Sequence, residues 1–377
     1  MNSRILTHAA VLHRPGLDGV TVDTVYLDAP RGHEVLVRVC ASGLCHSDLH
    51  LVNGLLPVTG PRILGHEISG VVLEIGSSVT SVAPGDRVVA CLAMACGQCV
   101  RCAAGQANLC LHRADLWSRP ATERPRVTDS DGSPVVAGSG IGGLAEHALV
   151  DERGLIAISP SMPIVPAALL GCAVVTGTGA VFRSAGVTAG RSVAVIGCGG
   201  VGMSIIQAAR IAGASAIVAV DRSPQKLTRA VAFGATHTVH AAATGHSHRQ
   251  QVRDVTRGQG VDYAFEAVGT AQTVEDAVAM LAPRGLATIV GVFPDGVEIK
   301  VPARAMLTME TRLQGSYMGS SIFQRDIPEL CELYQTGALL LDEMVEPVLD
   351  LAQVRHGFGL LTRGAALRPV VVFDAGA

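Results

Sequence analysis

This chain lacks an excess of charge of either sign. Its 29 Lys and Arg against 32 Asp and Glu leave a net charge of −3, and charged residues make up 16% of the whole. A balance so close to neutral excludes the basic footprint of nucleic-acid binding and the charged, apolar-poor composition of disorder. Long hydrophobic runs are missing too, since no segment approaches the roughly 18 consecutive apolar residues of a membrane span. The opening MNSRILTHAAVLHRPG holds no apolar core of signal-peptide length. The expectation is a cytoplasmic protein without nucleic-acid or membrane partners. There is no internal repeat and no heptad run. Disulfide staples are not expected either: a reducing compartment keeps thiols free, and 377 residues bury enough core without them.

What is present is apolar bulk and glycine, with 49% hydrophobic residues and 43 Gly. The length predicts two domains. From about residue 190, strand-length apolar runs (SVAVIG, AIVAVD, HTVH, VDYAFEAVG, GLATIVGV) alternate with helix-like stretches such as VGMSIIQAARIAG and PQKLTRAVAFG. That alternation predicts βαβ units on a parallel sheet covered on both faces. Residues 1 to about 150 carry shorter runs (EVLVRVCASG, ISGVVLEIG, GDRVVA) between Gly, Pro and Asp turns, which predicts an antiparallel, partly barrel-like β domain. The polar, Pro- and Gly-rich stretch from Ser118 to Gly143 reads as a long surface loop. The tail FGLLTRGAALRPVVVF reads as helix then strand. His237, His240, His246 and His248 cluster in sequence, but nothing converges on them, and they read as a strand end and an exposed loop.

In VAVIGCGGVGMSIIQAARIAG, Gly197, Gly199 and Gly202 have GxGxxG spacing after a strand and at the start of a helix. The first glycine permits a tight turn, the second lets the backbone approach a pyrophosphate, and the third allows close packing. The helix N-terminus offers free N–H groups to phosphate. The next strand ends at Asp221, where a carboxylate can accept from an adenosine-ribose 2′-hydroxyl and repel a 2′-phosphate. NAD is therefore expected over NADP, although Arg222 beside it is a residue type that can hold a phosphate.

Four of the ten cysteines lie in CGQCVRCAAGQANLC. In a reducing compartment such spacing favours a metal or catalysis over disulfides. Three other stretches hold soft ligands: GLCHSDLH with Cys45, LGHEISG with His66 and LLGCAVVTGTGAV with Cys172. A Cys, His, Cys set leaves one tetrahedral zinc position open, as a catalytic site requires. Asp48 and Glu67 stand beside these ligands, and one of them can fix the tautomer of His66.

Together these stretches resemble the zinc-dependent medium-chain dehydrogenases, in the classical zinc-containing alcohol dehydrogenase branch. The likeness runs from EVLVRVCASGLCHSD through GHE, the four-cysteine lobe, the GCxxxTGxG segment and GxGGVG to LLTRGAALRPVVVF. It implies an α/β fold: a Rossmann-type doubly wound parallel sheet domain over residues 174–316, and a GroES-like catalytic domain over 1–173 that resumes at 317–377. It implies two zinc ions per chain. Cys96, Cys99, Cys102 and Cys110 match the structural zinc, and Cys45, His66 and Cys172 the catalytic one, with Asp48 beside them and Glu67 counted in the metal set. Ser47 and His50 match the proton relay. His46 and Arg368 match positions that contact the cofactor pyrophosphate, and Lys226 one at the adenosine ribose. Thr176 and Val201 match packing around the nicotinamide, and Gly200, Val268 and Val292 complete the cofactor set.

The implied reaction is NAD-dependent oxidation of an alcohol to an aldehyde, and the reverse. Zinc lowers the pKa of the bound alcohol, and hydride passes from the alkoxide carbon to the nicotinamide. Glutathione-dependent formaldehyde dehydrogenases of this branch carry an arginine and an acidic pair where this chain has Ala114 and Leu55 and Leu56, so a thiol adduct is not the expected substrate, although Arg113 lies beside Ala114. The pocket positions Leu56, Leu92, Leu109, Phe293 and Tyr317, with Val292, are largely apolar and suit hydrophobic primary alcohols, aliphatic or aromatic. The alternatives are a thiol-adduct or formaldehyde dehydrogenase, and a nicotinoprotein using an external acceptor. A non-catalytic dinucleotide-binding relative would have lost the catalytic ligands, all of which remain. The length of the 118–143 loop implies a homodimer.

Overall fold

The computed structural model describes residues 4–241 and 247–373; His246 lies outside them. The chain divides into two compact units. One comprises Met1–Cys172, Ile322–Thr336 and Leu341–Ala377; the other comprises Ala173–Ser321 with Gly337–Leu340. Among the described residues no single helix is long and apolar enough to cross a membrane.

The first unit is built on two sheets that form a nearly closed, barrel-like structure. The larger runs in the order Leu155–Ala157, Arg87–Ala90, Glu67–Ile75, Glu34–Gly43, Arg368–Val372, Val345–Leu349, with His147–Asp151 also on Glu34–Gly43. Glu34–Gly43 is buried along nearly all its length because it has neighbours on both edges. The smaller sheet packs Ala9, Val11, Val25, Leu27 and Ile63 against Leu36 and Leu149. Full burial of each of the larger side chains contributes about 1.5–3 kcal/mol.

The 118–143 segment departs from the expected surface loop. It contributes the short strands Val127–Thr128 and Val136–Ala137, and two of its arginines are buried against carboxylates of the sheets. Arg119 Nε and Arg126 Nε each donate to Glu34 Oε1 at 2.8 Å, and Arg119 Nη1 donates to Asp28 Oδ2 at 2.6 Å. Burial opposes ionisation of Glu34, but the two guanidinium groups outweigh it and hold its carboxyl below the usual range. A buried carboxylate needs such partners, and here polar residues in the sequence become interior ones.

The second unit holds a six-stranded parallel sheet in the order His237–His240, Ala216–Asp221, Ser192–Ile196, Val261–Glu266, Leu281–Ile289, Arg312–Gly315. The first five coincide with the apolar runs of the sequence. The sixth, RLQG, is a short polar edge strand with no apolar pattern to announce it. The strand order reverses on either side of Ser192–Ile196, the switch point where α/β sheets bind ligands at their strand carboxyl ends. Helix Gly200–Ile211 is buried over most of its surface because the fully buried Ala173–Gly179 helix lies along it: a Cβ on Gly177 would come 2.5 Å from the Ser204 side chain.

Candidate functional site

Sheet register gathers the first site. Gly43, the last residue of its strand, pairs with Glu67 on one side and Val370 on the other, and Ile68 pairs with Ala90. Cys45, His66, Leu92 and Arg368 therefore emerge at one end of one sheet. Gly171 packs so tightly on this end that a Cβ would come 2.2 Å from the Ala90 carbonyl, which brings in Cys172. Cys45 is the N-cap of helix His46–Val52.

The outcome is a buried set in which one ligand atom each of Cys45, His66, Glu67 and Cys172 lies within 4.8 Å of the others. Asp48 spans its edge. Its Oδ1 accepts the Gly65 N–H at 3.0 Å and its Oδ2 lies 3.2 Å from His66 Nδ1. His66 Nε2 is left toward the thiols, buried and without a hydrogen-bond partner among the described residues. This is the donor arrangement of a zinc-ligating imidazole whose second nitrogen is oriented by a carboxylate. Arg368 is 3% exposed; its Nη1 donates to the Leu44 carbonyl at 3.0 Å and lies 3.2 Å from Glu67 Oε1.

The electrostatics suit a cation. The neighbouring Cys172 thiol pulls the Cys45 thiol well below its ordinary value against burial, and the positive charges of His66 and Arg368 add to this. Burial disfavours an imidazolium at His66, yet the charges of Asp48 and Cys45 outweigh it and hold the ring well above its ordinary value. Burial raises Glu67 to about 7, with Arg368 pulling against it. Two sulfurs, an imidazole and a carboxylate in a negative field fit zinc.

Ser47 and His50 lie three apart on the His46–Val52 helix, hence on one face. Ser47 Oγ is 3.6 Å from Cys45 Sγ, His50 is half-buried and His46 exposed. Burial holds His50 below its ordinary value.

The second cysteine set lies close to the first in sequence but is built differently. Cys99 Sγ is 3.5 Å and Cys96 Sγ 4.0 Å from Cys102 Sγ, on either side of the edge of about 3.8 Å that a Zn–S tetrahedron with 2.3 Å bonds requires. All four are free thiols, with separations far beyond a disulfide bond. The backbone amides of Cys96 and Cys99 point at Cys110 Sγ and Cys96 Sγ at 3.2 and 3.4 Å. Backbone N–H groups at Cys102 and Leu111 pull Cys99 down to about 6, toward the thiolate a metal needs.

In the second unit the glycine turn has the form its spacing implies. Gly197 adopts φ +95°, and a Cβ on Gly202 would come 1.8 Å from the Gly197 carbonyl, whereas a Cβ on Gly199 would meet nothing within 4 Å. Gly199 is the open face, at the N-cap of helix Gly200–Ile211, where a pyrophosphate fits. Asp221 ends the next strand; its Oδ2 accepts the Cys198 N–H at 2.7 Å and its Oδ1 the Ser223 N–H at 2.8 Å. Arg222 is exposed, Gly200 is buried, and Val201 and Lys226 are half-buried. Thr176 is buried, its hydroxyl directed at Met318 Sδ at 3.7 Å.

Of the pocket candidates in the first unit, Leu92 is buried, with its carbonyl accepting the Trp117 indole N–H at 3.2 Å, Leu56 is half-buried and Leu109 exposed. In the second unit Val268, Val292 and Tyr317 are exposed and Phe293 is half-buried. The described histidines of the 237–248 stretch do not converge: His237 contacts Thr236, His240 the Arg222 carbonyl and His248 Asp276.

Comparison with known proteins agrees with both halves. Residues 31–160 match the alcohol dehydrogenase GroES-like domain and residues 200–336 the zinc-binding dehydrogenase domain. The NDMA-dependent alcohol dehydrogenase of Amycolatopsis methanolica is 35% identical over 98% of this chain and 99% of its own length. The structure of an alcohol dehydrogenase zinc-binding domain protein from Burkholderia ambifaria matches with a TM-score of 0.93 at 34% identity, over 99% of this chain and 100% of its own. Benzyl alcohol dehydrogenase from Acinetobacter calcoaceticus matches with a TM-score of 0.89 at 29% identity, over 98% and 100%. The chain belongs to the zinc-dependent medium-chain dehydrogenase/reductase family and is an enzyme of its alcohol dehydrogenase group.

Proposed function

We propose that the chain oxidises hydrophobic primary alcohols, aliphatic or aromatic, to aldehydes and catalyses the reverse, with NAD and two zinc ions per chain. The observation that carries this reading is the buried Cys45, His66, Glu67 and Cys172 set with Asp48 against His66 Nδ1. These residues would hold the catalytic zinc; Cys96, Cys99, Cys102 and Cys110 would hold the other. When bound, the catalytic zinc supplies Lewis acidity that lowers the pKa of an alcohol, and NAD supplies the hydride acceptor.

The chain's own residues do the rest. Asp48 fixes the tautomer of His66. Ser47 takes the hydroxyl proton of the substrate, and His50, kept neutral by burial, receives it one helical turn on. Gly199 and the helix N-terminus behind it bind the pyrophosphate. Asp221, held by two backbone N–H groups, accepts from the adenosine ribose and disfavours a 2′-phosphate. Asp221→Gly should weaken NAD roughly tenfold and relax its preference over NADP; an unchanged preference in binding assays would remove Asp221 from the ribose.

The 35% identical relative named as NDMA-dependent favours a second reading, a nicotinoprotein that regenerates bound NAD with an external acceptor. A substrate and acceptor screen decides between them: benzyl alcohol, a medium-chain alkanol and a formaldehyde–thiol adduct, each with free NAD or an artificial acceptor, after the purified protein is inspected for copurified dinucleotide absorbance. Turnover with free NAD supports the first reading, and acceptor-only turnover with copurified dinucleotide the second. Preference for the adduct would overturn the substrate class. Ten cysteines without a disulfide among them support a reducing, cytoplasmic location, and the length of the 118–143 segment supports a homodimer, which sedimentation would check.

A further inference from the structure

The dinucleotide-binding unit buries a carboxylate that none of these roles uses. Glu266 closes the Val261–Glu266 strand and is 0% exposed. Its Oε1 accepts the Val268 N–H at 2.8 Å, the Gly269 N–H at 2.7 Å and the Thr273 hydroxyl at 2.8 Å. Its backbone carbonyl accepts from Val290 and Gly291 at 2.8 and 3.0 Å. Oε2 has no hydrogen-bond partner among the described residues and lies against Gly291, where a Cβ would come 2.6 Å from it. A buried carboxylate is costly to keep, and the Oε1 of this one accepts from two backbone N–H groups that it thereby holds in place.

The backbone it holds is wedged between two other strand ends. Glu266 pairs with Ile196 on one side and Ile289 on the other. Gly197, which opens the phosphate turn, has no room for a Cβ, which would meet the Val268 side chain at 2.7 Å and the Ala267 carbonyl at 2.9 Å. Gly269 likewise faces the Val292 carbonyl, 2.2 Å from where its Cβ would be. The Glu266 side chain thus holds the turn at 266–269 against Gly291 of the next turn, and that held turn in turn lines Gly197.

Sheet order says which half of the dinucleotide they meet. The strand of Asp221 lies on one side of Ser192–Ile196, and Val261–Glu266 and Leu281–Ile289 lie on the other. With the adenosine ribose at Asp221 and the pyrophosphate at Gly199, the nicotinamide half extends toward Val268 and Val292. Both are exposed on this unit.

We propose that Glu266 is a positioning residue for the nicotinamide half: by holding Val268 and Gly269 it sets the surface that those turns offer. The proposal rests on the dinucleotide reading given above. Calorimetric titration of the zinc-loaded full chain with NADH and with ADP-ribose, which lacks the nicotinamide, tests it. Glu266→Ala should weaken NADH about tenfold and leave ADP-ribose within about twofold. Glu266→Gln, which keeps an acceptor but loses the charge, should shift the same ratio about threefold. Should the alanine variant not fold, the glutamine variant decides. An unchanged ratio, or equal losses for both ligands, overturns the proposal. Failure of the unsubstituted chain to bind either ligand removes the dinucleotide reading itself, and the proposal with it.

Discussion

The two cysteine sets of the first unit fit the same metal and differ in everything that decides what a metal can do. The lobe takes four thiols from residues 96 to 110, with sulfurs within 4.8 Å of one another and backbone amides aimed at two of them. Four like ligands close a tetrahedral shell and leave no place for a substrate. The other set draws on residues 45, 66, 67 and 172, all buried, and mixes thiols with an imidazole and a carboxylate. Around it stand an aspartate against the imidazole, a hydroxyl, a second histidine and a buried arginine. Under the proposed reading, density of ligands in sequence goes with structure and dispersion with chemistry.

That contrast can be broken most directly at Cys45. Cys45→Ala should abolish turnover by roughly a thousandfold or more while metal analysis falls from two zinc ions per chain to one; an active variant retaining a single ion would exchange the roles of the two sets. A smaller loss is expected from Asp48→Asn. The amide would offer an N–H to His66 Nδ1 and drive the ring proton to Nε2, the nitrogen needed for the metal, so zinc affinity or turnover should fall about 10–100-fold. Metal titration against a chelator would check it, and unchanged affinity would show that Asp48 does not set the tautomer.

Cys110→Ser sharpens the comparison from the other side. It should lower the melting temperature by roughly 10 °C, because a structural zinc contributes folding energy, yet leave turnover per folded, zinc-retaining chain within about threefold. Loss of turnover at an unchanged melting temperature would place chemistry in the lobe.

Much of this was legible beforehand where the signal is local. The five apolar runs of the parallel sheet, the glycine turn and the CxxCxxC lobe each lie within a short stretch whose backbone geometry follows from its own residues. The polar edge strand Arg312–Gly315 was not legible, because its place comes from pairing with Leu281–Ile289 rather than from a pattern. Nor was the burial of Arg119 and Arg126, since nothing in a Pro- and Gly-rich stretch says that Glu34 waits beneath it. Glu266 was not legible for a related reason: a lone carboxylate at a strand end has the same sequence pattern as a solvent-facing turn residue, and only its backbone partners set it apart.

By itself the sequence determined the kinds of candidate ligand, their spacing within the lobe and the existence of a glycine turn between strand and helix, because covalent geometry carries those over a few residues. Only the tertiary structure decided that Cys45, His66, Glu67 and Cys172 converge, that Asp48 reaches His66 and that Arg368 lies on Glu67. Those contacts join residues as far apart in the chain as Glu67 and Arg368, and burial requires each charge there to find its partner across the sheet rather than along the chain.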